Sequence, residues 1–230
     1  MIETLEESSY FGFVICVIAY ILGLYISRKT KFILCNPLLI AIVLVGAMLL
    51  ITRMDVEKFS RNTSILSWLL TPATVCLAIP LYEQLGLLKK NQKAIIIGIT
   101  AGVIVSLGSI GCVALLFRLS KEQFYTLMPK SITTPIGMGV SSELGGNPSI
   151  TAALIILTGI VGNIIAELFL KIVKITNPIA RGIAIGTSSH VIGTSKAMEL
   201  GSVEGAMSSL SIVVAGLITV ICATLIEIAI

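Results

Sequence analysis

Residues 130–154 read KSITTPIGMGVSSELGGNPSITAAL, and residues 186–210 read GTSSHVIGTSKAMELGSVEGAMSSL. Laid over each other without a gap, at a shift of 56, the two stretches share Ile136-Gly137 with Ile192-Gly193. They also share Glu143-Leu144-Gly145 with Glu199-Leu200-Gly201, and Leu154 with Leu210. Ser131/Thr187 and Thr133/Ser189 are near matches. Each copy is polar, rich in glycine, carries a carboxylate and runs into a long apolar stretch. In a membrane protein, a repeated and broken polar segment is the strongest sequence pointer to a transport site.

The membrane reading rests on composition. Mean hydropathy is +1.03 and hydrophobic residues make up 56% of the chain. Charged residues make up 12%, about half the share usual in soluble domains. Spanning a bilayer takes roughly 20 apolar residues. Six such runs are expected: Tyr10–Ile26, Phe32–Ile51, Ile65–Leu88, Ala94–Phe117, Ser149–Leu170 and Gly205–Ile228. No run shows the polar stripe of helical period that a soluble bundle requires. The acidic N-terminus (Glu3, Glu6, Glu7) has no basic n-region, so a cleaved signal peptide is not expected. The five cysteines, Cys16, Cys35, Cys76, Cys112 and Cys222, fall in apolar runs and read as packing residues. Their spacing matches no metal motif, and neither metal nor cofactor is expected. A net charge of +4 spread over loops suggests no nucleic-acid partner.

The expected architecture is an all-α integral membrane protein with about six full spans and two broken, re-entrant polar hairpins. One polytopic domain over 1–230 divides into a two-helix unit (1–63) and a kinked span plus span four (64–123). Two hairpin–span repeats follow, over 124–172 and 178–229. Basic loops mark the cytoplasmic face. With the N-terminus outside and segment 124–148 re-entrant, nine Lys/Arg lie inside and five outside. Segment 124–148 then enters from outside and segment 178–204 from the cytoplasm. This makes the repeat inverted, as in many secondary transporters. Two full crossings with parallel repeats are the competing arrangement. Span three is also interrupted, by Thr71-Pro72-Ala73-Thr74 and Pro80.

The stretches LMPKSITTPIGMGVSSELGG and ARGIAIGTSSHVIGTSKAMELGSVEGAMSSL closely resemble the two signatures of the LrgB/CidB family. SILSWLLTPATVCLAIPLYEQ looks like its third. The resemblance runs from about residue 8 to the end. It implies a multi-pass protein of the bacterial cytoplasmic (inner) membrane, paired with a smaller LrgA/CidA-type membrane protein. The family was first described as holin/antiholin-like, modulating murein hydrolase activity and autolysis. Members are also implicated in pyruvate uptake, and the plastid glycolate/glycerate translocator resembles a fusion of the two partners. The expected function is therefore a secondary transporter of small monocarboxylates, coupled to protons or another ion. The alternative is an antiholin-like regulator. A homo-oligomer in the lipid bilayer is expected, and no enzyme: Ser188-Ser189-His190 lacks a nucleophile elbow and an acidic third member.

Half-helix N-termini and loop N–H groups favour an anion. The substrate-binding candidates in copy one are Thr133, Thr134, Pro135, Gly137, Ser141 and Asn147. In copy two they are Ser188, Ser189, His190, Gly193, Thr194 and Lys196. His190 either donates to a carboxylate or fixes the hairpin through its neighbours. Lys196 either neutralises substrate or pairs with Glu199 at i+3. Glu143, Glu199 and His190 are coupling candidates; the glutamates are equally read as caps of the helices that follow. Gly145-Gly146-Asn147-Pro148 reads as a hairpin tip. Lys130 is placed near the outer mouth. Pro72, Thr74 and Asn163 are possible cavity-lining residues. Copy two is expected to supply the anion-binding charge and copy one much of the shape.

Overall fold

The computed structural model describes residues 10–30, 36–76 and 78–229. Among them every regular element is a helix, as expected for an all-α membrane protein. They group into two compact units, Met1–Cys76 and Leu77–Ile230.

The first unit holds α1 (Phe11–Thr30), α2 (Pro37–Thr52), α3 (Val56–Asn62) and α4 (Ser64–Cys76). Helix α1 packs on α2, and Gly23 lets the chain at Pro37 approach closely. Helix α2 is apolar throughout but has only 16 residues, roughly 24 Å of helix. The start of the span expected at 32–51 lies outside the described residues. Helix α4 runs through Pro72 to Cys76. The expected span Ile65–Leu88 is not one continuous helix, because Gln84 leaves helical geometry at φ −103° and ψ 16°. Proline takes one donor out of the ladder, and a helix accommodates that with a kink as readily as with a stop.

The second unit holds α5 (Ala78–Glu83), α6 (Leu85–Phe117), α7 (Lys121–Leu127), α8 (Thr134–Glu143), α9 (Pro148–Ile172), α10 (Pro178–Leu200) and α11 (Ser202–Ala229). Asparagine followed by proline opens both α9 and α10. Asn147 and Asn177 accept hydrogen bonds from the second and third helical N–H groups, and proline fills the first position. Helices α1, α6, α9 and α11 are long and apolar enough to cross a membrane. Their outward faces carry Ile97, Ile104, Leu168, Ile172, Leu217 and Ile221, all exposed. In lipid these faces need no covering. Inside the unit, Ile95, Ile99 and Val103 of α6 pack with Met207 and Ala215 of α11 and with Met128.

The two repeat segments fold back on themselves. The Thr151 hydroxyl on α9 lies 2.9 Å from Thr126 O at the end of α7 and 2.7 Å from Ser141 Oγ on α8. In one straight helix, residues 15 positions apart stand roughly 22 Å apart, so a full crossing is impossible for this copy. In copy two, a Cβ on Gly182 would lie 2.6 Å from Met207 Cβ, and one on Gly205 2.9 Å from Met198 Cγ. Residues 182 and 198 therefore sit at the same level of α11, whereas a straight helix would separate them by about 24 Å. The reversal occurs at His190, whose φ of 43° and ψ of −138° break α10 into two limbs.

The contacts themselves repeat at the shift of 56. Thr126 meets Thr151 as Gly182 meets Met207. Hairpin one enters beside the start of α9, where Thr126 Oγ1 accepts from Asn147 N. Hairpin two enters at the other end of α9, where Ile185 clusters with Leu170 and Lys196 meets Glu167. The two hairpins enter from opposite ends of α9, and both apices reach its middle. Gly137 there touches Ile155, and His190 Nε2 is 2.9 Å from Ile155 O.

The apex of hairpin one is not Gly145–Pro148. It is the turn at 128–133, and 144–147 is the exit turn at the mouth. Both turns contain helix breakers; only the contact of Thr126 with Thr151 distinguishes apex from exit. Cys16 and Cys222 are half-buried, whereas Cys76 and Cys112 are exposed rather than packed within the chain. Cys35 lies outside the described residues.

Candidate functional site

Each apex is built by a local device. Ser120 and Gln123 form a capping box that starts α7. Pro129 cannot supply the N–H that would extend α7, and Thr133 with Pro135 restarts the chain as α8. In hairpin two, His190 is held in the reversed backbone from two sides. Its ring nitrogen meets Ile155 O, and its carbonyl accepts from Thr194 Oγ1 at 2.9 Å. Gly159 and Gly162 on α9 leave the space that the His190 ring and Ser189 occupy. Asn163 Nδ2 donates to Ile192 O at 2.9 Å and to Ser195 Oγ at 3.1 Å, fixing the second limb. The carbonyls of His190 and Ile192 beside the reversal thus accept from protein side chains, as membrane depth requires.

Lys130 stands at the apex of hairpin one. Its Nζ donates to Ser131 Oγ at 3.1 Å, and Ser131 Oγ is 3.0 Å from Ser106 Oγ on α6. Two cavities share this lysine. One, about 550 Å³, lies between α9 and the first limb of α10 and includes Thr158, Gly162, Ser188 and Ser189 in its wall. The other, about 900 Å³, lies between α6 and that limb and includes Ser106, Ser131, Thr187 and Ser188. Both volumes are in the range of small-molecule sites. Lys130 is the one charged residue on either wall among the described residues. No carboxylate pairs with its ammonium among them.

Comparison with known proteins places the chain. A sequence profile of the LrgB-like family matches residues 16–228. The chain belongs to the LrgB-like family. It is similar to the antiholin-like protein LrgB of Bacillus subtilis (strain 168), with 37% identity over 215 residues, 93% of each chain. No solved structure matches it.

Of the substrate-binding and coupling candidates in this LrgB-like sequence, Ser188 and Ser189 line the cavities. The other candidates lie elsewhere. Ser141 and Thr194 are buried, bonded to Thr151 and Ser208. Gly137 and Gly193 are packing positions, against Ile155 and Ser189. Thr133 and Thr134 are half-buried at the start of α8, and Pro135 is exposed. Asn147 caps α9 at the mouth of hairpin one. His190 is buried, its ring committed to Ile155.

Lys196 pairs with Glu167 at 3.2 Å and Glu199 at 3.1 Å. Glu143 and Glu199 are exposed near the ends of their hairpins. Asn163 braces hairpin two, and Pro72 is exposed within α4 of the first unit. The side chain of Thr74 lies outside the described residues. Lys130 lies at the apex rather than near the mouth. The sequence reading missed Ser106 and Thr158 as lining residues. Ser106 carries no local signal, because it is one of three hydroxyls, with Thr100 and Ser109, spread along a long apolar helix. Ser131 and Thr187 do carry one: they are a matched pair in the repeat, Ser131 within the break of copy one and Thr187 just before that of copy two.

Proposed function

We propose that this LrgB-like protein is a secondary transporter of small monocarboxylates, coupled to protons or another ion. In this reading it works beside an LrgA/CidA-type partner in the bacterial cytoplasmic membrane. The observation that carries the reading is the pair of hairpins entering from opposite ends of α9 and ending at the same depth. Transporters place substrate at the midplane between inverted repeats, where broken helices expose backbone and side-chain donors. Rocking one hairpin unit against the other would open such a site to each face in turn. Serine and threonine hydroxyls on both cavity walls suit a ligand with a few oxygens.

The second reading follows the printed name of the Bacillus subtilis relative, an antiholin-like protein. A regulator of that kind has no use for a cavity with a lone cation at mid-depth. Uptake separates the two. Purified protein in liposomes, alone and with an LrgA-type partner, should accumulate labelled pyruvate, lactate or glycolate saturably down an imposed gradient. Folded protein that carries none of them in either arrangement refutes the transporter reading.

A further inference from the structure

We infer that Lys130 is the counter-charge for the substrate carboxylate, held in place by Ser131 and Ser106, and that this single cation selects singly charged anions. The inference rests on the transporter reading for its substrate class, but the geometry that points to it is separate. An ammonium half-buried at the depth of a mid-helix position is costly to leave without an anion. The two cations packed into hairpin two both have carboxylates: Arg181 has Glu204 at 3.4 Å, and Lys196 has Glu167 and Glu199. Among the described residues, Lys130 has the Ser131 hydroxyl alone.

The hydroxyl chain sets its direction. Nζ–H donates to Ser131 Oγ, so the Ser131 proton is free to go to Ser106 Oγ. That ties the apex of hairpin one to α6 and uses one of three ammonium protons. Two donors remain for a carboxylate reaching Lys130 through either cavity. Ser188 lines both cavities and is exposed there. It lies two residues before the reversal at His190, so hairpin two places a hydroxyl in the same two cavities as Lys130. A second carboxylate would find no second cation on either wall. Ser106 is a positioning residue here, because it acts through Ser131 on the ammonium.

The test is direct binding of labelled pyruvate to the purified full-length protein, followed by uptake in liposomes. Wild type should bind saturably, with succinate competing at least about tenfold more weakly. Lys130→Met should weaken pyruvate binding about ten- to a hundredfold, as loss of a charge-assisted hydrogen bond implies. Lys130→Arg should retain most of it, which a merely structural role would not require. Ser106→Ala should raise the dissociation constant about threefold, with an unchanged melting temperature and succinate discrimination partly lost. Lys196→Met should bind as wild type.

Lys130→Met binding within threefold of wild type overturns the inference, and so does wild type that binds no monocarboxylate or binds succinate equally. If Lys130→Met does not fold, the Arg and Ser106 variants and the succinate competition decide. Wild type that binds pyruvate through Lys130 but carries none of it refutes the transporter reading and leaves the binding site standing.

Discussion

The substitution Gly186→Ala tests the packing that makes hairpin two possible. The first limb of α10 lies against α11 with almost no side chain between them. A Cβ on Gly186 would stand 2.5 Å from Ser208 O, 2.7 Å from Ser211 Cβ and 2.8 Å from Ser208 Cα. Ordinary contacts begin near ~3.5 Å, so the limb must retreat by about an ångström. It cannot slide along α11, because Arg181–Glu204 and Thr194–Ser208 fix the register on either side. Overpacking of this kind costs about 1–3 kcal/mol, and the rigid neighbours put the value near the top. Alanine's better helix propensity returns about 1 kcal/mol, leaving a loss of about 2 kcal/mol.

Gly108→Ala on α6 is the control, since a Cβ there meets nothing within 4 Å. The propensity gain then stands alone, at up to about 1 kcal/mol. The same chemical change should therefore have opposite signs at the two sites. At roughly 2–4 °C per kcal/mol for a chain of this size, the midpoints should differ by about 6–12 °C. Thermal loss of the monodisperse peak in detergent measures both. Equal shifts, or a Gly186→Ala protein as stable as Gly108→Ala, would refute the close packing of α10 on α11.

His190→Gly should be more stable than His190→Ala by about 1 kcal/mol, because both lose the bond to Ile155 O but only glycine relaxes the φ of 43°. The order of their melting midpoints checks this, and alanine on top would show that the reversal at 190 is unstrained. Arg181→Met should destabilise by about 3–5 kcal/mol, since it leaves the buried Glu204 without its partner. Lys196→Met should cost at most about 1 kcal/mol, because its glutamates are more exposed and Glu167 keeps Lys171 at 2.8 Å. Midpoints for the two variants that coincide would contradict this ranking.

The sequence disclosed the helical membrane class, the repeat and the two places where helices break. These are local properties: apolar runs, prolines and glycines act on their own few residues. Which break is an apex and which an exit is not local. Gly145-Gly146-Asn147-Pro148 and Met128-Pro129-Lys130-Ser131 are equally good turns, and the contact of Thr126 with Thr151 assigns them. The same limit explains the charges. The i+3 spacing does reveal that Lys196 pairs with Glu199. Its other partner, Glu167, and the partner of His190, Ile155 O, come from α9, on no pattern that spacing reveals. Lys130 looked like a residue of the mouth because the apex had been drawn at the wrong turn.

The shift of 56 also pairs Lys130 with Gly186, and that pairing bears on why the charge sits in copy one. Lys130 lies in the turn that forms the apex of hairpin one, and Gly186 lies in the stretch four residues before the reversal at His190 in hairpin two. In copy two this stretch lies directly on the backbone of α11, and position 186 has no room for a Cβ. In copy one the equivalent stretch is a non-helical turn rather than a helical limb. Lys130 there is half-buried and faces two cavities. The fold repeats because the same contacts, Thr126 with Thr151 and Gly182 with Met207, can be built twice with inverted direction. The chemistry is not repeated, because a second lysine at 186 would separate α10 from α11. A single lysine without a carboxylate at the apices of two inverted hairpins, among the described residues, is thus a consequence of packing one copy tightly and leaving the other open, and on the role proposed for Lys130 it gives the symmetric scaffold one anion site rather than two.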